Sequence, residues 1–364
     1  MAVALFDNRL SWILRFLPEP MLENNILFDR INWRDPVSGF PLEPLISVRT
    51  PAGVPICGAM KVSGTRYGYP IVDCVVRLTP ELADYYREWL VPLDLEPPAG
   101  GGANNFQAEA TVNSFGFQWM WNSAMRSEED LRWRVASRFQ VNPNDFAGKI
   151  VLDAGAGAGD QSHWLLQQGA QVVSIDLSSA IDVVARKLRM NPGWVGVQGD
   201  ITALPLAESQ FGVVYCEGVI PFTRDSALTV RELCRVLHPG GVILATHYAR
   251  SIRLVGRVKQ AYNMALRNRL SRYERYKLLL LTGNFAALSL IPWLGKLLRL
   301  SGTAIYNDLM SDFKTTWTNT FDYYGDHAYQ RHITSGEFWD YFQQAGKLEQ
   351  VYREGTIVAA RKIA

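Results

Sequence analysis

Residues 150–159 read Ile-Val-Leu-Asp-Ala-Gly-Ala-Gly-Ala-Gly. An apolar run ends there in one acid, Asp153, and three glycines that alternate with alanine: Gly155, Gly157 and Gly159. The run predicts a buried strand, and the glycines predict a tight turn, nearly free of side chains, that opens a helix at about Gln161. A backbone that must turn with positive φ and approach a ligand closely cannot carry Cβ atoms, so the turn is a nucleotide-sized seat. Spacing narrows the choice of nucleotide. A dinucleotide fingerprint places its third glycine three residues after the second, where this chain has Asp160. Asp153, two residues before the first glycine, repels a pyrophosphate and suits a ligand that brings an ammonium and a sulfonium. The plain alternative is a glycine-rich turn that holds no ligand.

With 364 residues and 48% hydrophobic content, the chain has material for two modest domains or one domain with large insertions. Cys57, Cys74, Cys216 and Cys234 show no repeated spacing. Cys216 sits in a strand-like run and Cys234 in a helical pattern, so buried thiols in a reducing, cytoplasmic compartment are expected rather than disulfides. Met1 to Asn8 shows no basic region and no small-residue cleavage site, so no secretory signal is expected. The net charge of +2 is unevenly spread. Residues 249–301 hold eleven Arg or Lys against the single acid Glu274, which leaves the rest of the chain net acidic by about 8 charges.

Residues 10–17, Leu-Ser-Trp-Ile-Leu-Arg-Phe-Leu, are aromatic-rich and stop at Pro18, as an amphipathic helix that docks on the core or touches a bilayer would. From 35 to 78 the chain turns to proline, glycine and short β-prone runs, which predict a small β module. Residues 97–105, with Gly100, Gly101 and Gly102, read as a flexible linker. Phe115-Gly116-Phe117-Gln118-Trp119 follows, then a polar helix-forming stretch over 127–139. Phe115 or Trp119 either seals the edge of the next domain or closes over its ligand, where an aromatic face stabilises a sulfonium.

After the glycine turn, strands and helices alternate: a strand over 171–175, a helix over 179–190, strands over 195–198 and 211–216, a helix over 226–237 and a strand over 241–246. That alternation predicts a parallel, doubly wound α/β sheet, whose ligands bind where the strands end. Asp176 ends the second strand, about 20 residues beyond the glycines, where an acid accepts hydrogen bonds from ribose hydroxyls. Asp200 follows the third, in Gln198-Gly199-Asp200-Ile201, placed either to accept from an adenine amino group or to cap a turn. Glu217 and Gly218 follow the fourth strand, and His247 and Tyr248 the fifth.

With those residues in place, the stretch from about Ser114 to Tyr248 closely resembles class I S-adenosylmethionine-dependent methyltransferases. Residues 151–159, Ser174-Ile175-Asp176-Leu177-Ser178, Gly199-Asp200-Ile201 with Leu204-Pro205-Leu206, and His238-Pro239-Gly240-Gly241 match four successive family signatures in order. The resemblance implies a Rossmann-like, mostly parallel, seven-stranded methyltransferase sheet with a small N-terminal β module and a helical insertion after the fifth strand. It divides the chain into an N-terminal amphipathic segment (1–34), the β module (35–96), a linker (97–113), the core (114–248), the insertion (249–319) and a C-terminal helix and hairpin (320–364). It places Asp153, Gly155, Gly157 and Gly159 by the methionine part of S-adenosylmethionine, Asp176 and Leu177 by the ribose, and Asp200 with Ile201 by the adenine. Glu217 and Trp119 complete the expected cofactor contacts. The module is similar to the zinc-ribbon-like one ahead of many methyltransferases, which begins Cys-Pro-x-Cys-Gly. Here Asp35-Pro36-Val37-Ser38-Gly39 stands in its place, and Cys57 and Cys74 alone cannot supply the four ligands of a structural zinc, so no metal is expected. The subgroup reads Gly-Val-Leu-His-His-Thr after the fourth strand. This chain has Gly218-Val219-Ile220-Pro221-Phe222-Thr223, and no role of the missing histidines transfers.

Methyl transfer asks mainly for an aligned nucleophile and a dry site, because the sulfonium already activates the methyl. A base is needed only if the nucleophile must lose a proton. His247 is the first candidate, with the acids Glu217 and Asp225 behind it; a packed histidine is the plain alternative.

In the insertion, residues 250–277 read as a basic helical stretch and 278–295 as an uncharged run holding Gly283, Asn284 and Pro292. A helical lid packed on the sheet and an interfacial hairpin at a membrane surface both fit. The apolar surface makes nucleic acid a less suitable partner than a small amphipathic or lipophilic acceptor such as an isoprenoid or quinone precursor. RNA or protein methylation, and an NAD-dependent oxidoreductase on the same turn, are the competing functions. Thr320-Phe321-Asp322-Tyr323-Tyr324 is similar to the segment before the subgroup's last helix, expected over 334–345 with Thr334 and Glu337 as a capping box. Residues 348–352 and 356–361 alternate like a closing hairpin. Tyr323, Tyr324, His327 and His332 are candidates for a pocket lining or for surface loops.

Overall fold

The strand that leads into the glycine turn runs through the middle of one large sheet. The computed structural model describes residues 26–99, 116–117, 126–251, 253–301, 303–304, 313–325, 327 and 329–363. The amphipathic segment at 10–17, most of the expected linker, Phe115 and Trp119 lie outside the described residues. Numbered along the chain, the strands are β1 Leu42–Arg49, β2 Pro55–Val62, β3 Gly68–Val72, β4 Val75–Arg77, β5 Ile150–Ala154, β6 Gln171–Asp176, β7 Trp194–Gln198, β8 Phe211–Cys216, β9 Leu237–Thr246, β10 Leu348–Glu354 and β11 Ile357–Lys362. They lie in the order β1-β2-β3-β4-β7-β6-β5-β8-β9-β11-β10. The central five are parallel, and β11 and β10 close one side antiparallel.

The sheet therefore has eleven strands rather than seven, and the three-residue β4 is the reason. Val75, Val76 and Arg77 are all buried and pair in parallel with Gly196, Val197 and Gln198 of β7. The antiparallel strands β1 to β4 thus cover what would otherwise be an open parallel edge. Arg77 fastens the joint. Its guanidinium donates to Gln198 Oε1 at 2.6 Å and to Asp182 Oδ1 at 2.7 Å, and lies over the Tyr86 ring. At the start of the module Asp35 stands where the resemblance expects a cysteine pair. Its carboxylate accepts from the Val37 and Ser38 amides, from the Ser38 hydroxyl and, at 2.6 Å, from the Tyr69 hydroxyl, which ties the 35–39 turn to β3. Among the described residues no three His, Cys, Asp or Glu side chains converge as metal ligands, and all four cysteines are buried and free.

The helices are α1 Leu27–Arg30, α2 Pro80–Tyr85, α3 Glu128–Val135, α4 Asp160–Gln167, α5 Ala180–Leu188, α6 Ser226–Val236, α7 Leu254–Leu270, α8 Arg275–Leu288, α9 Pro292–Ser301, α10 Phe313–Tyr324 and α11 Ser335–Ala345. Successive strand residues point to opposite faces, and the core divides accordingly. Leu152, Val173, Val214 and Ile243 pack beneath α6 and α11 through Val230, Leu233, Phe338 and Phe342. Their neighbours Val151, Val172, Val213 and Leu244 pack beneath α3 and α4. Burial on both faces explains why these strands read as continuous apolar runs. Thr334 and Glu337 form the expected capping box at the start of α11.

The insertion after β9 contributes α7 to α10. The uncharged run at 278–295 is split by a turn between α8 and α9, and among the described residues no helix is long and apolar enough to cross a membrane. Leu278, Thr282, Ala286 and Ser289 give α8 a buried face. That face holds α10, where Trp317 Nε1 donates to the Leu279 carbonyl at 2.8 Å.

Candidate functional site

The parallel strands β5 to β9 end at one edge of the sheet. β6 and β8 lie on opposite sides of β5, so the chain's direction of winding reverses there, above the glycine turn, which is where sheets of this kind bind their ligands in a crevice. Gly155, Gly157 and Gly159 all have positive φ, at 85°, 53° and 81°. A Cβ on Gly155 would lie 2.2 Å from Val219 Cγ2, and one on Gly159 would lie 2.7 Å from Val184 Cγ1. The turn is pinned to β6 by the Gly155 and Ala156 amides, which donate to the Ile175 carbonyl at 2.7 and 3.1 Å.

Asp176 completes the turn. Its Oδ2 accepts from the Gly157 amide at 2.9 Å, and its Oδ1 from the Ser178 amide and hydroxyl at 2.8 and 2.7 Å. An ionised carboxylate has about four acceptor positions, so one remains for a ligand hydroxyl, on Oδ2. Burial raises the Asp176 pKa, against the lowering pull of the Ser178 and Gly157 hydrogen bonds. Leu177 follows, its carbonyl accepting from Gln198 Nε2 at 3.1 Å. Asp200 Oδ1 accepts from the Thr202 amide at 2.7 Å and so caps its turn, while Ile201 packs into the core.

Asp153 lies deeper, at 2% exposure. Trp194 Nε1 donates to Ser174 Oγ at 2.9 Å, the two hydroxyls of Ser174 and Ser162 lie 2.7 Å apart, and Ser162 donates to Asp153 Oδ2 at 2.5 Å. Each hydroxyl has one proton, so the chain runs from Trp194 to Asp153 and ends on an acceptor. Burial pushes Asp153 up to about 7, opposed by the bond from Ser162 and reinforced by the charges of Asp176 and Glu217.

Two expected proton acceptors are differently employed. His247 is 5% exposed, with Nδ1 against the Tyr248 carbonyl at 3.2 Å, Nε2 against Ser226 Oγ at 3.2 Å and its ring on Phe338. Burial lowers its pKa to about 4, so near neutral pH it is an uncharged side chain packed beneath α11. Glu217 is held by Arg134, at 3.3 Å, by Arg138 and by the Tyr215 hydroxyl at 2.7 Å. Burial alone would raise its carboxyl; the two guanidiniums outweigh that and hold it below the usual glutamate range, where a carboxylate is a poor proton acceptor. Asp225 caps α6 by accepting from the Leu228 amide.

The acid that the sequence reading passed over is Asp322, in the last turn of α10. Among the described residues its Oδ1 is buried without a hydrogen-bond partner, 3.7 Å from His327 Nε2. Burial pushes Asp322 up to about 7, against the lowering pull of Arg126 and Arg267. Arg126 ties this acid to the glycine turn. It lies 3.7 Å from Asp160, the first residue of α4, and 3.5 Å from Asp130, and its charge reaches both Glu217 and Asp322. Aromatic rings line this side: Phe222 lies 5.5 Å from Tyr248 and 4.7 Å from His327, and Tyr248 lies 5.6 Å from His332. Tyr324 is instead buried in the insertion's own core, and Tyr323 is hydrogen-bonded to Asn263. Phe117 packs on Phe321 and Tyr276, while Gly116 lies against Ser179, so this short piece reaches from the Asp176 loop to the insertion. One feature of the sequence marked Asp322: it is the only charged residue in the aromatic run 317–324.

Residues 152–245 match the family model described as "Methyltransferase domain". The malonyl-[acyl-carrier protein] O-methyltransferase of Enterobacter lignolyticus is 37% identical over 99 residues, 27% of this chain and 39% of that protein. The ubiquinone biosynthesis O-methyltransferase of Pseudomonas paraeruginosa is 39% identical over 104 residues, 28% of this chain and 45% of its own. The demethylmenaquinone methyltransferase of Clavibacter sepedonicus is 33% identical over 129 residues, 35% and 52% respectively. The chain spans about two-fifths to one-half of the length of these curated relatives. Residues 152–245, strands β5 to β9 and the helices between them, are a methyltransferase domain.

Proposed function

We propose that this chain is an S-adenosylmethionine-dependent enzyme that transfers the cofactor's methyl group to an oxygen of a small lipophilic or amphipathic acceptor. The observation that carries the cofactor half is Asp176 bonded to the Gly157 amide, with one acceptor position left on the carboxylate at the edge of the crevice. In this reading Asp176 accepts from the ribose and Leu177 lies beside it. The 200–201 turn meets the adenine, and the glycine turn, backed by Asp153, meets the methionine part. Trp119 remains a proposed cover for the sulfonium. Glu217 takes an indirect part, fixing Arg134 and Arg138 behind the crevice.

Asp322 takes the place first given to His247. With the cofactor bound, its sulfonium would supply the methyl group to the acceptor oxygen and leave as a thioether, and Asp322 Oδ1 would take the proton of the attacking hydroxyl. A carboxyl poised near neutrality suits that role, and Phe222, Tyr248 and His327 exclude water around it. An oxygen acceptor is supported by the names of two relatives, the malonyl-[acyl-carrier protein] and ubiquinone biosynthesis O-methyltransferases, and a lipophilic one by the quinone-directed names, ubiquinone biosynthesis and demethylmenaquinone. The core (114–248) and the C-terminal part (320–364) form the catalytic body, the insertion (249–319) covers the acceptor side, and the protein works in the cytoplasm at a membrane surface.

Calorimetry with S-adenosylhomocysteine tests the cofactor half. Binding by the wild type, and a loss of about tenfold or more in Asp176→Ala, is expected. A folded wild type that binds NAD and ignores S-adenosylhomocysteine makes the chain an oxidoreductase instead.

A further inference from the structure

Helix α9 is amphipathic in the opposite sense to a helix that packs by its apolar face. Trp293, Leu297 and Leu300 stand at i, i+4 and i+7 and so share a face, yet they are 72%, 58% and 66% exposed. Behind them Gly295 is buried and Leu294 and Leu298 are half-buried. The end of α8 and the turn before α9 continue the surface with exposed Leu288, Leu290 and Ile291. Soluble proteins keep contiguous apolar surface of this kind small unless something covers it. Charge points to what does. Residues 275–304 contain no acid, and Lys277 and Lys296 are exposed, as are Arg253, Arg257 and Arg272 earlier in the insertion. Within residues 249–304 the one acid, Glu274, is paired with Lys277 at 3.1 Å.

We propose that this face docks on an anionic lipid bilayer. Trp293, Leu297 and Leu300 enter the headgroup and upper acyl region while the basic side chains meet lipid phosphates. A second copy of the chain would bring the same cations face to face, and like charges repel. A bilayer supplies the opposite charge, and its fluid interior takes a run of Leu, Ile and Trp without a complementary pocket. The surface is also joined to the acceptor side of the crevice, since α8 leads into α9 and its buried face holds α10, which carries Asp322. Docking therefore keeps that side close to the phase in which a lipophilic acceptor dissolves. This purpose, though not the docking, rests on the methyl-transfer reading.

Co-sedimentation of the full chain with vesicles tests the surface, using phosphatidylcholine alone or mixed with phosphatidylglycerol. The wild type is expected to pellet with the mixed vesicles, and less so without the anionic lipid or in high salt. In Trp293→Ser/Leu297→Ser/Leu300→Ser the bound fraction should fall about tenfold or more, with S-adenosylhomocysteine affinity unchanged. Equal pelleting of variant and wild type, or none by either, overturns the proposal. So does a wild-type dimer that the triple variant abolishes, since it gives the face to a second copy. Vesicle binding that persists in a protein without affinity for S-adenosylhomocysteine upholds the docking and removes the methyl-transfer reading.

Discussion

Asp322 and Glu217 are carboxylates that both feel the charge of Arg126, yet their neighbours drive them in opposite directions. Glu217 has two guanidiniums and a phenol and stays ionised, whereas Asp322 feels Arg126 and Arg267 without direct pairing and rises to about 7. Asp322→Asn is expected to lower kcat by about 10²- to 10⁴-fold, the range of a general base, with cofactor affinity retained. The wild-type rate should climb with pH through about 7, as the carboxyl ionises, and then level off. A pH–rate profile of both proteins checks this, and an unchanged profile in the variant excludes the role. His247 affects stability instead. Its pKa falls from 6.5 to about 4 on folding, so the unfolded chain binds more protons between those values, and the folded state loses stability as pH falls through that window. The contribution is about 3 kcal/mol. His247→Asn should flatten denaturant midpoints between pH 6.5 and 4 and leave the limb near pH 7 in the rate profile where it was. From sequence, position at a strand end singled out His247. Position alone carries no information on the packing of α11 over it, nor on an acid brought in from α10, 75 residues away.

The glycine turn was legible because its determinants are local: alternating glycines, an apolar strand before them and an acid at the end of the next strand. The capping box of α11 and the β10–β11 hairpin were legible for the same reason. What joins the elements was not. Trp194, Ser174 and Ser162 reach Asp153 from β7, β6 and α4, and nothing in their spacing announces one hydrogen-bonded chain. Ser162→Ala leaves Asp153 Oδ2 and Ser174 without their partner, at an expected cost of about 1–3 kcal/mol. Because the lost bond stabilises the carboxylate, the penalty should be larger at pH 8 than at pH 5. Chemical denaturation at the two pH values measures it. A penalty independent of pH means that Asp153 does not ionise in that range.

At the scale of the whole molecule, the N-terminal strands belong to the same sheet as the glycine turn. The composition shift at residue 35 suggested a separate module, because a three-residue strand such as β4 is too short to leave a periodic signal. Its pairing with β7 and the buried Arg77 join these strands to the core's sheet, and a single cooperative unfolding unit is expected. Arg77→Met strands Gln198 and Asp182 and should cost about 3 kcal/mol or more. Thiol labelling through the denaturation curve reads the coupling directly, since Cys57 and Cys74 lie in the module and Cys216 and Cys234 in the core. All four should become reactive together in the wild type, and earlier exposure of Cys57 and Cys74 alone identifies an independent module.

Transfer of label from methyl-tritiated S-adenosylmethionine, with lipid extract of the source cell as acceptor, tests the proposed reaction most directly. Label is expected in the organic phase with the wild type, with little remaining in Asp322→Asn or in Asp176→Ala. Label that appears instead in the RNA or protein fraction, or in no fraction while S-adenosylhomocysteine still binds, contradicts a lipophilic acceptor methylated in this crevice.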